Sequence, residues 1–151
     1  MLGELTSEQI EHLLHSEVVG RIGCHAEGRT YVVPVNYAYD GESLYGHAAQ
    51  GMKLEMMRAN PEICFQIDRR SGLSDWQSVI AWGTFEELHG DDATRAMDML
   101  LDRLLPLLAG EGPLATRGEA RATLAAGTPV EDLVIYRIRL HERTGRFETL
   151  G

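Results

Sequence analysis

Apolar residues near the amino terminus recur at the spacing of a helix. Three of them lie three or four positions apart, namely Ile10, Leu13 and Leu14. This spacing places their side chains on one face of a helix. Thr6 and Gln9 have the spacing of a capping box, in which side chain and main chain satisfy each other at a helix start. The pattern therefore predicts a helix over residues 7–16.

Between residues 18 and 48 the apolar positions change to the two-residue alternation that is typical of strands. Two short polar pairs, Glu27-Gly28 and Asp40-Gly41, divide this stretch into three segments. Glycine supplies the positive φ that a hairpin turn requires. The pattern predicts three strands in an antiparallel meander.

The second of these strands carries apolar residues on both faces, which predicts that both faces are covered. Pro34 has no N–H group for a sheet ladder, so it belongs on an edge strand, at a bulge or beside something other than a strand. Asn36 places polar atoms in the same apolar setting, and these atoms need a partner. A bound heterocycle would explain both residues, although a plain edge strand explains Pro34 equally well.

A short helix is predicted to begin after Gly51 and to end at Asn60-Pro61, because the residue before proline avoids helical geometry. Free main-chain amides at the helix start, a glycine that permits close approach and the ammonium group of Lys53 have the chemistry of a phosphate site. Lysine is also common on helix surfaces, so both interpretations stay open. His47 is likewise either a hydrogen-bonded strand residue or a ligand contact.

Two further strands are predicted over residues 62–68 and 76–88, where apolar and polar residues alternate again. A polar loop, residues 69–75, is expected to join them. Gly83 stands in the middle of the second strand, which predicts a bulge or the close approach of another backbone.

A long amphipathic helix is predicted from about Asp91, where acidic residues complement the helix dipole, and Pro106 is expected to bend or end it. Residues 110–130 have no strand pattern and suit part of a helix, a lid or a partner contact. A last strand is predicted over residues 132–142, followed by a turn at residues 144–146 and a short tail.

Strands that are mostly joined as hairpins, with helices between them, favour a mainly β fold with α additions. The coarse pattern has six strands in one antiparallel barrel. A chain of 151 residues can bury one sizeable core, so we expect a single domain over residues 1–151.

The net charge of −9 disfavours nucleic acids and anionic membranes as partners, because both bind basic surfaces. No apolar run approaches the roughly 20 residues of a membrane span, and no basic segment precedes an apolar one at the amino terminus. We therefore expect a cytoplasmic protein. Cys24 and Cys64 lie in apolar segments without metal-ligand spacing, which predicts reduced thiols and no metal site.

Six segments of the chain, in this order, resemble the flavin-binding split-barrel family, in the branch related to pyridoxamine 5′-phosphate oxidase that includes the nitroimidazole-resistance proteins. The segments are VGRIG, YVVPVNYAY, LYGHAAQGMK, NPEICFQID, SVIAWGTFEEL and VIYRIRLHERTGR. Together they extend over nearly the whole chain. The resemblance implies a six-stranded antiparallel split β-barrel with flanking helices.

The resemblance also implies flavin mononucleotide (FMN) as the cofactor. The second strand would lie along the ring and the ribityl chain, the segment after the third strand would hold the phosphate, and a serine of the fifth strand would stand near the cofactor. The residues implied are Pro34, Val35, Asn36, Tyr37, His47, Ala48, Lys53, Ser78 and Val79.

Two positions depart from the pattern of the family. Many relatives have an arginine immediately before the lysine, where this chain has Met52, and a serine after the histidine, where it has Ala48. Each departure removes a contact with phosphate. Two outcomes stay open: phosphate binds more weakly, or Arg58 or an arginine of a partner chain replaces the lost contacts.

The resemblance implies an FMN-dependent oxidoreductase that acts on a small heterocyclic or nitroaromatic substrate, with NADPH or NADH as the electron donor. Family members are usually homodimers with the flavin in the interface. No separate acid or base is required, because the flavin carries the redox chemistry. Oxidation of vitamin B6 phosphates is disfavoured, because the chain is short for that enzyme and the arginine cluster that binds its substrate phosphate is not evident at the carboxyl end.

Two alternatives remain open at this point. The first is a non-catalytic carrier or sensor that holds flavin or haem on the same fold, with His47, His25 or His141 as the haem ligand. The second is a split barrel that has lost its cofactor.

Overall fold

A computed structural model describes residues 1–111 and 132–150 of the chain. It contains three helices in this part, α1 (Ser7–Ser16), α2 (Met52–Ala59) and α3 (Gly90–Glu111). The strands are β1 (Leu2–Glu4), β2 (Val19–Ala26), β3 (Arg29–Asn36), β4 (Ala38–Tyr39), β5 (Ser43–Ala48), β6 (Glu62–Gly72), β7 (Asp75–Leu88) and β8 (Val134–Glu148). None of the helices in these ranges combines the length and the apolar character that a membrane span requires.

The strands form one antiparallel sheet in the order β3-β2-β6-β7-β8-β5-β4, with β1 paired to β8. The two ends of this order, β3 and β4, follow each other in the chain with only Tyr37 between them. The sheet must therefore curl until its ends meet, and the Tyr37 N–H group donates to the carbonyl of Val18 at 3.0 Å where they do. The result is a mainly β barrel, as predicted.

The interior of the barrel is filled by side chains from every long strand and from α1 and α2. Its largest fully buried members include Tyr37, Tyr136, Phe65, Leu13, Leu14 and Met57. A second cluster lies outside the barrel, where Leu100, Leu101 and Leu104 of α3 pack with Ala38 and Ile135. Helix α3 therefore covers the outer face of β4, β5 and the start of β8.

The predicted start of α1 and the first hairpin turn are confirmed. Thr6 Oγ1 accepts from the Gln9 N–H at 3.2 Å, and Gln9 Oε1 accepts from the Thr6 N–H at 2.8 Å. Glu27 and Gly28 both have positive φ, at 52° and 77°. Such a pair is the form of hairpin turn that matches the twist of the flanking strands.

Gly83 confirms both of the properties predicted for it. The register between β7 and β8 shifts between Trp82 and Gly83. A Cβ atom at Gly83 would lie 2.5 Å from the carbonyl oxygen of Arg139. Only glycine permits this approach of the two backbones.

Two predicted boundaries are wrong. Residues 69–72 continue β6 rather than forming a loop, because Arg69, Arg70 and Gly72 pair with β7, with a register shift between Arg70 and Gly72, although the side chains are polar. The predicted turn at residues 144–146 lies inside β8, and Gly145 is required there because a Cβ atom would lie 2.8 Å from Leu5 and Ile10. Helix α3 continues through Pro106 to Glu111. The prediction for residues 112–130 lies outside the described residues.

The strand count also differs from the prediction. The second predicted strand is interrupted at Tyr37 into β3 and β4, and β1 was not predicted because three residues carry no periodic pattern. Among the described residues one face of β3 is open, where Val32 is 64% exposed. The prediction that both faces are covered is therefore not met by this part of the chain.

The hydroxyl group of Tyr136 gives a test of the barrel interior. It is buried without a hydrogen-bond partner among the described residues, beside Gly46, whose missing Cβ atom would lie 2.4 Å from it. We expect Tyr136→Phe to raise the free energy of unfolding by about 1 kcal/mol, because it removes an unpaired polar group. Denaturant titration measures this change.

The matched control is Tyr37→Phe. The Tyr37 hydroxyl is also buried, but it donates to the carbonyl of Leu14 at 2.7 Å. We expect this variant to lower the free energy of unfolding by about 1 kcal/mol. Equal losses in the two variants would contradict the prediction for Tyr136.

Candidate cofactor site

The free edge of β3 is the first part of the candidate site. Among the described strands, β3 pairs only with β2, so the main-chain groups on its other edge are open to a ligand. Pro34 and Asn36 point outward and are exposed, whereas Val35 packs into the barrel core. The edge position predicted for Pro34 is confirmed.

Besides Val35, three of the predicted residues have side chains that are committed to the core. Tyr37 donates to Leu14 and meets the ring of Phe65 edge-on, with 5.1 Å between centroids. Val79 is fully buried inside the barrel, and Ala48 is nearly so. Any contact of these residues with a cofactor would use their main-chain atoms.

The second part of the candidate site lies where β5 ends and α2 begins. Gly51 caps α2 without a side-chain hydrogen bond, so the first amide groups of the helix have no side-chain acceptor. The space beside Gly51 is open, because nothing lies within 4 Å of the position that its Cβ atom would take. This end of the helix carries the positive pole of its dipole and favours an anion.

His47 and Lys53 lie half-buried at this helix start. Neither side chain has a hydrogen bond or an ion pair within the part of the chain that the structure describes. Burial lowers the pKa of His47, and the charge of Lys53 lowers it further. Burial also lowers the pKa of Lys53, against a smaller raising effect from Cys24. A bound anion would stabilise the charged form of both side chains.

Helix α2 packs on the barrel core, because Leu54 and Met57 belong to the same buried cluster as Cys24 and Ala48. His47 belongs to β5, while Cys24 belongs to β2 and pairs with Tyr31 of the edge strand β3. Lys53 acts on both residues. The helix start therefore lies between the end of β5 and the hairpin that carries β3.

Arg58, the predicted replacement for the missing arginine, is already engaged by side chains of the same chain. It forms an ion pair with Glu87 and donates to Gln50 Oε1 at 3.1 Å. Arg29, which was not predicted, instead lines a cavity of about 440 Å³ with Met52 and Glu55. The only sequence signal for Arg29 is its position directly after the first hairpin turn, which lies beside α2 in the structure.

Ser78 lies on a different part of the sheet. It is on the outer face of β7, and its hydroxyl accepts from Gln66 Nε2 at 3.2 Å. Gln66 is in turn bonded to Arg21, which forms an ion pair with Asp68 at 2.9 Å. Two strands separate β7 from β3 in the sheet, which corresponds to about 14 Å.

The structure therefore groups the predicted residues in two places. The free edge of β3 and the start of α2 form one continuous region, whereas Ser78 lies across the outer face of the sheet. No group of three or more metal-ligating side chains that could hold an ion occurs within residues 1–111 and 132–150.

Comparison with known proteins gives matches over nearly the whole chain. Residues 6–147 match the family model described as pyridoxamine 5′-phosphate oxidase. An FAD-binding protein from Mesorhizobium loti is 28% identical, with a TM-score of 0.76 over 99% of both chains. A candidate 5-nitroimidazole antibiotic resistance protein from Bacteroides thetaiotaomicron, 18% identical, has a TM-score of 0.70 over 97% of this chain and 87% of that one.

A curated relative, an uncharacterised protein from Rhizobium meliloti, is 30% identical over 84 residues. That match spans 56% of this chain and 56% of the relative. The family model covers nearly the whole chain, and the TM-score of 0.76 shows that the Mesorhizobium loti protein has a similar fold. The chain therefore belongs to the pyridoxamine 5′-phosphate oxidase family and has its split-barrel fold.

Proposed function

We propose that the protein binds FMN and acts as a flavin-dependent oxidoreductase. The observation that carries this proposal is the pair His47 and Lys53, two basic groups without a described counter-ion at the uncapped start of α2. A terminal phosphate would bind there, between the helix amides and the two side chains. The ribityl chain and ring would then follow the free edge of β3.

The residues present fit a flavin, and one compact anion site suits the single phosphate of FMN. The similar protein from Mesorhizobium loti is described as binding FAD, so FAD is the competing form. When bound, a flavin supplies the capacity to accept and donate a hydride or single electrons. The chain would contribute main-chain groups of residues 31–36 for orientation, and we assign no catalytic side chain.

The proposed substrate is a small heterocyclic or nitroaromatic molecule, and the proposed electron donor is NADPH or NADH. When bound, a flavin would supply a two-electron relay between such a donor and such a substrate, and the accompanying protons would come from solvent, because we assign no acid or base side chain. We also propose a cytoplasmic location, in agreement with the two cysteines, which are both free.

The position of Ser78 supports a homodimer with the cofactor at the interface. Ser78 is about three strand spacings from the edge of β3 within one chain, so a second copy is needed to bring it to the flavin. The sheet face around it carries apolar side chains, of which Val19 is 46% and Ile80 is 38% exposed. A second chain would cover them.

A non-catalytic carrier or sensor is the second candidate, and the placement of two histidines favours haem as its ligand, against the repulsion of haem propionates by Glu62 and Glu142. His25 and His141 line the same cleft on the outer face of the sheet. One of them could serve as an axial ligand. A Soret band in the purified protein, in place of flavin bands, would favour this candidate.

Lys53→Ala tests the proposed phosphate site. We expect the affinity for FMN to fall about 10- to 100-fold, because a charge-assisted hydrogen bond to phosphate is lost. Flavin fluorescence titration measures it, with FAD titrated in parallel. Arg58→Ala is the matched control, since that cation lies on the same helix but is paired with Glu87. Unchanged FMN affinity in Lys53→Ala would refute the site.

The oxidoreductase proposal predicts that a nicotinamide donor reduces the bound flavin. Anaerobic mixing of the FMN-loaded protein with NADPH or NADH should bleach the flavin absorbance, and a nitroaromatic should restore it. The measurement is stopped-flow absorbance. A flavin that neither donor bleaches would favour a carrier or another reductant.

The homodimer predicts a particle of twice the 16.8 kDa chain mass. Ile80→Asp places a charge in the proposed interface and should shift the particle to the monomer, as light scattering would show. Leu73→Asp is the control, because Leu73 is 90% exposed at the tip of the β6–β7 hairpin. A monomeric wild-type protein would contradict the proposal.

A further inference from the structure

A cleft of about 610 Å³ opens on the outer face of the sheet. The strand register arranges its lining in one row across five strands, in the order Val32, Gly23, Cys64, Trp82 and Glu142. Gly23 has no side chain, so the floor of the cleft is low between the walls formed by Val32 and Trp82. This volume falls in the usual range of small-molecule sites.

The aromatic wall has a free polar group. The indole ring of Trp82 is half-buried, and its N–H group makes no hydrogen bond to any residue that the structure describes. The opposite rim is fixed, because Asn60 Nδ2 donates to the carbonyl of His25 at 2.9 Å and Asn60 Oδ1 accepts from the Glu62 N–H at 3.2 Å. A flat ring fits between such a wall and such a rim.

The charges at the cleft have one sign. Two carboxylates line it, those of Glu62 and Glu142, and neither forms an ion pair with a described residue. No lysine or arginine is among its lining residues. The cleft therefore attracts a cation and disfavours phosphate or carboxylate groups. Haem carries two propionates, which the same carboxylates would repel.

The cleft also adjoins the strand assigned to the flavin. Thr30 and Val32 line it from β3, and Val32 lies two residues before Pro34. Two residues along a strand correspond to about 7 Å. A ligand in the cleft would thus lie beside the edge along which the flavin is placed.

We propose that this cleft is the substrate site and that it selects a planar nitrogen heterocycle with a positive charge and without a phosphate group. This inference rests on the proposed flavin-dependent function and specifies its substrate class. Trp82 stacks on the ring, and the carboxylates of Glu62 and Glu142 select its charge.

The test compares two ligands with nearly the same ring and opposite charge, the 1-methylnicotinamide cation and nicotinate. Binding to the full chain, with and without FMN, is measured by calorimetry and by the fluorescence of Trp82 in a Trp76→Phe background. We expect the cation to bind about tenfold more tightly, since two partly exposed charge pairs each contribute modestly.

The double variant Glu62→Gln and Glu142→Gln should reduce this preference to about twofold or less, while the affinity for FMN stays as in the wild type. Glu8→Gln is the control, because it removes a carboxylate from α1 outside the cleft. The control should keep the full preference for the cation.

Several results would overturn the inference. Equal or tighter binding of nicotinate would refute the charge selection, and no binding of either probe would refute the site. If the fluorescence of Trp82 changed with protein concentration but not with either probe, a second chain would cover the cleft. If the purified protein had a Soret band that was lost in His141→Ala, the cleft would be a haem site. Failure of FMN to bind the wild type would overturn the proposed function while leaving the preference between the probes intact.

Discussion

The meeting of the two sheet ends at Tyr37 is the constraint on which the rest of the barrel depends. The main-chain N–H of Tyr37 bonds to Val18, and its hydroxyl bonds to Leu14 at the end of α1. Its ring also packs edge-on against Phe65 in the core. One residue thus ties the sheet, the first helix and the interior together. Burial raises the pKa of Tyr37, so its hydroxyl stays a neutral donor.

This closure leaves the outer edge of β3 without a partner among the described strands. The main-chain groups of residues 31–36 on that edge stay open, because β3 and β4 follow each other at Tyr37 without pairing. An exposed edge invites association with other chains, and Pro34 on this edge limits that risk. The same feature provides the hydrogen-bonding groups that a planar cofactor can use.

Electrostatics divide the surface into two kinds of site. The chain carries a net charge of −9, yet His47 and Lys53 create a local basic site at the start of α2. The cleft around Trp82 has the opposite character, with Glu62 and Glu142 at its rim. An anionic group and a cationic ring would therefore be directed to different ends of one continuous surface.

The sequence predicted the elements that have strong local signals. The capping box of α1, the turn at Glu27-Gly28 and the bulge at Gly83 all follow from residue chemistry that acts within a few positions. Gly145 shows the limit of prediction from local signals. The sequence predicts a turn there, whereas the glycine is needed for close packing against Leu5 and Ile10, which lie far away in the chain. Residues 69–72 were predicted as a loop because their polar side chains show no apolar alternation, whereas main-chain pairing with β7 makes them part of a strand. For the site, Lys53 was identifiable from its helix start. Arg29 and the row from Val32 to Glu142 were not identifiable, because their placement depends on strand register.

The central place of β8 in the sheet has a consequence for folding. It is synthesised after the other described strands, yet it pairs with β7, β5 and β1. Until it emerges, β7 and β5 each present an open edge, and the barrel cannot close. Contacts this distant in sequence form slowly, and open edges in the meantime favour aggregation. The nascent chain would therefore be most vulnerable just before its last strand is made.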